Sequence, residues 1–191
     1  MKKPSFYLLV LVWMLPLLSF AQRKPIAQSF DKGNIVLDLH TSFLQIGREA
    51  QFDTRRPIFL GAEVGVRSDV GLGVFGGWSQ ADYKIAGTPL TTADFYYYAL
   101  KLNVHLVRFI NKQFKLRINE YQYDIYANAF LGQQVERIRD VSQITNTTSN
   151  TAFIKGGMLG LKVYSKKNIG GFAEVGYGAY GNLNLGICYM F

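Results

Sequence analysis

The sequence predicts an all-β fold, an eight-stranded antiparallel transmembrane up-and-down β-barrel. Three observations carry this. Eight stretches alternate apolar and mixed residues with period two and are separated by turn chemistry. The chain stops inside such a stretch, "GNLNLGICYMF", with Leu183, Leu185, Ile187, Tyr189 and Phe191 on one face, where a chain end is normally polar and frayed. The opposite end reads as an export segment.

At that N-terminus Lys2 and Lys3 precede the apolar run "FYLLVLVWMLPLLSF", and Ser19 and Ala21 follow with signal-peptidase spacing. A spanning helix needs about 20 apolar residues, more than this run offers. Residues 1–21 are therefore expected to be a signal peptide and residues 22–191 one barrel domain. Cleavage after Ala21 removes two lysines and no acid, taking the formal charge of +8 down to +6. No cysteine follows the cleavage site directly, so a lipid anchor is not expected. Cys188 is the single cysteine, which excludes an internal disulfide and cysteine-based zinc or redox motifs. The positive charges are scattered, with no basic helix or clustered patch, so nucleic acid is not an expected partner.

Along the chain, "GNIVLDLHTSF" places Ile35, Leu37, Leu39 and Phe43 opposite Asp38, His40 and Ser42. "IFLGAEVGVR" sets Ile58, Leu60, Ala62, Val64 and Val66 against Gly61, Glu63, Gly65 and Arg67, and Ser68-Asp69 is a natural two-residue hairpin before "VGLGVFGGW". In "FYYYALKLNVHLVRF" the even positions from Tyr96 to Leu106 oppose Ala99, Lys101, Asn103 and His105. "YDIYANAFLGQ", "FIKGGMLGLKVY" and "IGGFAEVGY" continue the pattern, and the C-terminal stretch completes eight.

Residues 44–57, 79–94 and 136–151 read as long polar links and Ser68-Asp69 and 165–168 as tight turns, with a short last loop at 178–181. The long links fall on one side and the turns on the other. No stretch after residue 21 has a convincing helical period. Residues 110–122, containing "FKLRI", are longer than a turn requires and are read as a turn with an extension of a neighbouring strand. In hydrocarbon a sheet must close on itself, because the bilayer offers no partner to an open edge. The apolar face then meets lipid and the mixed face fills the lumen. Nineteen glycines suit sharply bent strands in a narrow tube. Tyr96, Tyr98, Tyr121, Tyr123, Tyr177 and Tyr189 are candidates for interfacial girdles.

The terminal alternation ending on Phe191 resembles the assembly signal of bacterial outer-membrane barrels, and the mature chain resembles the small eight-stranded barrels of the OmpA/OmpX type. The resemblance implies an outer-membrane location, recognition of Leu183, Leu185, Ile187, Tyr189 and Phe191 by the barrel-insertion machinery, and closure of the last strand on the first. It implies outer-membrane lipid and lipopolysaccharide as neighbours and a possible surface partner at the loops. Because the last strand is the end of the chain, no periplasmic domain is expected after it.

An eight-stranded barrel is just wide enough to be filled by side chains, so a wide pore is not expected. Glu63 and Glu174 opposite Arg67, Lys101 and Lys162 are expected to form a buried salt-bridge network together with Asp38 and Asp124. No catalytic, metal or cofactor site is expected. The competing enzymatic reading rests on His40 and Ser42, side by side on one face like a base and a nucleophile. Barrels that deacylate lipid A use a His-x-Ser pair, but here the pair lies on the first strand and points inward. A further alternative is an accessory barrel of a secretion or transport assembly. Arg55, Arg56, Arg137 and Arg139, with "NTTSN" at 146–150, are placed in outward loops, where arginine could grip lipid phosphates.

Overall fold

Leucines on the outside and carboxylates on the inside define this molecule. The computed structural model describes residues 30–43, 53–83, 91–139, 147–165, 168–178 and 181–191. Its strands are β1 (Ile35–Phe43), β2 (Asp53–Thr54), β3 (Ile58–Arg67), β4 (Val70–Tyr83), β5 (Thr91–His105), β6 (Tyr123–Arg139), β7 (Thr147–Tyr164), β8 (Ile169–Tyr177) and β9 (Leu183–Met190). Among the described residues there is one helix, α1, spanning Val107–Phe114. Every barrel strand pairs antiparallel with the next in sequence, β1 pairs with β9, and the sheet closes. The two-residue β2 pairs with the far end of β4.

The period-two alternation becomes an apolar belt. One residue from each barrel strand illustrates it: Leu39, Leu60, Val74, Leu100, Leu131, Leu159, Val175 and Ile187 are 46–68% exposed. Glu63, Asp124 and Lys162 are only 1–2% exposed. A water-soluble barrel reverses this distribution, since charged side chains are almost never fully buried when water is available outside. Among the described residues no helix is long and apolar enough to cross a membrane. The crossing elements are the strands.

The Ser68-Asp69 hairpin lies where expected, with Arg67 opposite Val70. The segment between Tyr164 and Ile169 is four residues long, and Asn168 there adopts a left-handed backbone (φ 60°). The long links are shorter than the sequence suggested. β4 runs to Tyr83 and β5 starts at Thr91, so residues 79–83 and 91–94 are strand. Residues 136–139 belong to β6 and 147–151 to β7, which moves Arg137, Arg139 and most of "NTTSN" from loop to strand. Polar residues such as Gln80 and Asp82 lack the expected alternation, yet their backbones stay paired with β5. Beyond the hydrocarbon, water accepts polar side chains on the sheet surface, so backbone pairing continues after the alternation signal fades.

The larger departure is at 106–122. Leu106 donates its N–H to the Ile125 carbonyl (2.7 Å) as β5 ends. The chain then forms α1, which ends at Lys115 in a left-handed conformation (φ 53°). Asn111 ties the return segment to the helix: its Nδ2 donates to the Ile118 carbonyl and its Oδ1 accepts from the Ile118 N–H, both at 2.9 Å. "FKLRI" is thus the end of a helix and a loop, not a strand extension. Val107 and Ile110, three apart, were the legible trace of a helical period.

Glycines make the narrow interior possible by close approach. A Cβ at Gly160 would meet the Tyr126 ring, one at Gly71 the Glu63 carboxylate, and one at Gly61 the Asp38 carboxylate. Gly160→Val sets two effects against each other. Valine gains up to about 1 kcal/mol in strand propensity, whereas overpacking a filled core costs about 1–3 kcal/mol. Overpacking wins because Tyr126 is fully buried and cannot retreat. Net destabilisation is expected in urea titrations of the lipid-embedded barrel. Gly76→Val, whose nearest contact would be the Tyr97 carbonyl at 3.7 Å on the exposed face, should be neutral or stabilising.

Candidate functional site

The lumen is the site with chemistry, and its inward positions fall into three layers. At the turn end Phe30, Val36, Tyr164, Phe172, Cys188 and Met190 pack together. At the loop end lies a larger group that includes Phe59, Phe75, Tyr97, Phe130 and Met158. Its aromatic rings meet edge-on or tilted, Phe59–Phe75 at 5.8 Å and Phe75–Phe130 at 5.5 Å between centroids. Between the two layers lies a polar network.

Glu63 on β3 is its hub. One carboxylate oxygen accepts from Lys162 Nζ (2.9 Å) and the other lies 2.9 Å from His105 Nε2. The other ring nitrogen of His105 is 2.8 Å from Asp124 Oδ1. A ring flanked on both nitrogens by carboxylates satisfies both acceptors only when both nitrogens carry hydrogen, as in imidazolium. Lys162 also sits 4.0 Å from Asp124 and 4.5 Å from the Tyr126 ring centroid. A second cluster joins Asp38 to His40 Nδ1 (2.7 Å) and Lys101 Nζ (3.7 Å). In a third, Glu174 accepts from Tyr126 Oη (2.8 Å), Asn128 Nδ2 (2.9 Å) and Asn184 Nδ2 (2.9 Å). Lys101, Asp38 and Glu174 are each less than a tenth exposed. Such groups are tolerated away from water only when paired and hydrogen-bonded.

The expected salt-bridge network is therefore present, with one correction. Arg67 is not in it. A register shift between Gly65 and Arg67 turns this side chain outward, where its Nε binds Asp69 Oδ1 at 2.8 Å with three quarters of the side chain exposed. Glu174 takes its hydrogen bonds from neutral donors, with Lys101 as the nearby cation. Sequence reasoning missed Asn184, although it shares the inward parity of the last strand. It also missed Phe30, whose ring stacks on His105 at 3.5 Å between centroids and closes the turn end of the lumen. Arg108 of α1 reaches the Phe30 carbonyl (3.4 Å), so the helix helps hold that plug in place.

His40 and Ser42 both point inward, as their parity demands, and both are buried. Their hydrogen bonds lead elsewhere. Ser42 Oγ donates to Asn184 Oδ1 at 2.8 Å, while His40 binds Asp38 and stacks on Phe59 at 5.0 Å. His40 Nε2 is buried without a hydrogen-bond partner.

On the last strand Leu185, Ile187, Tyr189 and Phe191 face outward and Leu183 is half-buried. Tyr189 pairs with Leu37 of β1, and the Phe191 N–H donates to the Ile35 carbonyl (2.8 Å). The chain end is thus tied into the closing seam. Tyr121, Tyr123 and Tyr189 lie toward the turn end of the exterior and Tyr98 and Tyr177 toward the loop end, all at least one third exposed. Tyr96 lies beneath Arg137, whose guanidinium carbon is 5.3 Å from the ring centroid. The predicted residues 1–21 lie outside the described residues.

No family model and no curated protein matches the chain. Solved structures do. The outer membrane protein OprG from Pseudomonas aeruginosa aligns over 86% of this chain and 99% of its own, with 9% identity and a TM-score of 0.55. Ail, the attachment invasion locus protein of Yersinia pestis, in complex with the heparin analogue sucrose octasulfate, aligns over 84% and 99%, with 18% identity and a TM-score of 0.50. At these identities the likeness speaks to fold. Closed topology, apolar belt, charged lumen and these alignments converge: the chain has the fold of the small eight-stranded outer-membrane β-barrels.

Proposed function

We propose that this protein is a non-enzymatic barrel of the bacterial outer membrane with a structural or surface-interaction role, its loop end meeting lipopolysaccharide or a partner surface. The observation that carries this reading is a projecting wall above a filled lumen. β4 to β7 hold 14, 15, 17 and 18 residues, whereas β1, β3, β8 and β9 hold 9, 10, 9 and 8. Spanning takes about 9–11 residues. With the turn ends aligned, the four long strands project on the order of 10–20 Å past the loop-end membrane boundary. Construction beyond the bilayer, with the lumen closed by packed rings and ion pairs, favours an exterior task over conduction.

Cations stand near the loop-end boundary. Lys155 on β7 lies on the exposed face, beside Leu131 of β6 in the register and in line with Phe153. Arg56 stacks over Phe43 at 4.5 Å. Arginine and lysine at this level suit the phosphates of an anionic outer leaflet. The His40–Ser42 enzyme is disfavoured because both groups lie among lumen side chains, whereas an acyl chain would approach from the lipid face.

Three readouts test the proposal on the refolded full chain and in expressing cells. Proteoliposome swelling in sugar solutions should match protein-free vesicles, lipid A should keep its acyl chains, and Arg56→Gln/Lys155→Gln should weaken binding of lipopolysaccharide micelles. Sugar entry, or acyl loss that disappears in Ser42→Ala, would sink it.

A further inference from the structure

We propose that α1 and its return segment form an inner-leaflet clamp that selects anionic phospholipid. The inference rests on the outer-membrane reading, which puts the turn end of the barrel in the periplasmic leaflet.

The composition of the segment is the first ground. Between Val107 and Tyr123 it carries Arg108, Lys112, Lys115 and Arg117 against a single acid, Glu120. Arg108 is already engaged, with the Phe30 carbonyl and, at 3.7 Å each, Asp31 and Glu120. Lys112, Lys115 and Arg117 are exposed. The acid is thus matched by the inward-working arginine, which leaves the outer part of the segment net positive.

The second ground is the exposed apolar surface beside those charges. Phe109, Phe114 and Leu116 are 61%, 65% and 51% exposed. In water alone, three large apolar side chains bared on eight consecutive residues would be a liability. At a membrane surface they are the buried face of an interfacial helix, with cations beside them for lipid phosphates.

Continuity with the lipid belt is the third. A groove of about 420 Å³ runs between helix and barrel wall, lined by Val104, Leu106, Phe109 and Lys112, with Ser68 and Asp69 across from them. Val104 belongs to the lipid-facing side of β5. An acyl chain lying along the belt would therefore enter the groove with its phosphate at Lys112, three residues from Phe109 and on the same helix face. Tyr121 and Tyr123, just downstream, extend the aromatic girdle at the same end. The Asn111 hydrogen bonds to Ile118 hold the segment as one unit, so the site is preformed.

The test titrates the full chain, folded in detergent micelles and confirmed by its heat-shifted gel band, with phosphatidylglycerol or phosphatidylcholine, and counts bound lipid by native mass spectrometry. Wild type should retain phosphatidylglycerol preferentially. Lys112→Gln/Lys115→Gln/Arg117→Gln should keep the heat shift and lose that preference by about fivefold per charge removed. Phe109→Ser/Phe114→Ser should weaken both lipids alike. Arg137→Gln, at the opposite end, should leave the preference intact. Equal retention of the two lipids by wild type, or a preference that survives the triple substitution or falls with Arg137→Gln, overturns the clamp. A wild-type chain with no heat shift overturns the barrel reading beneath it, and the gel reports that before any lipid is added.

Discussion

Glu63→Leu is expected to destabilise the lipid-embedded barrel by about 3–5 kcal/mol, because it removes the 2.9 Å carboxylate partner of both Lys162 and His105 and leaves them to share Asp124, 4.0 Å from Lys162. Removing one partner of a buried pair costs more than the pair contributes, since the remaining ion keeps its desolvation penalty. Both Lys162 and Glu63 are about 2% exposed and 2.9 Å apart, so water cannot replace the missing carboxylate. The companion variant decides whether charge is the cause. Glu63→Leu/Lys162→Leu removes both ends, leaves His105 its bond to Asp124, and should recover a large share of the loss. Urea unfolding in vesicles, followed by the heat-shifted gel band, measures both. A double variant no better than the single would mean that the lost shape of Glu63 matters and its charge does not.

Deleting Phe191 is expected to separate assembly from stability. In the folded molecule its ring meets Tyr189 edge-on at 4.6 Å, and its N–H donates to the Ile35 carbonyl. An aromatic pair contributes about 0.5–1.5 kcal/mol and a hydrogen bond of this kind about as much. The purified, refolded truncation should therefore lose only about 1–3 kcal/mol. In cells the loss should be far larger, with most of the heat-shifted band gone from the outer-membrane fraction, if Leu183, Leu185, Ile187, Tyr189 and Phe191 are read as a unit by the insertion machinery. Equal, small effects in both settings would remove the assembly role and leave Phe191 as a closing contact.

By itself the sequence determined the parity of the barrel. Period-two alternation set which residues meet lipid and which fill the lumen, as Leu39 against Asp38 and Leu161 against Lys162 illustrate, because a pleated strand presents successive side chains to opposite faces. It placed the Ser68-Asp69 hairpin, and it put His40 and Ser42 on one face. Only the tertiary structure decided which inward groups meet. Glu63, His105, Asp124 and Lys162 come from four strands, and closure of the sheet brings them within hydrogen-bonding reach. Parity also could not reveal the shift that turns Arg67 to water, since one irregular residue inverts every orientation after it. Strand ends were illegible where polar residues continue a paired backbone above the membrane. The short helix α1 was hidden among basic residues, its period too brief to separate from a turn. Its meaning comes from position: the same residues elsewhere would be an ordinary solvated helix, but closure sets them against the lipid belt at the mouth of the barrel.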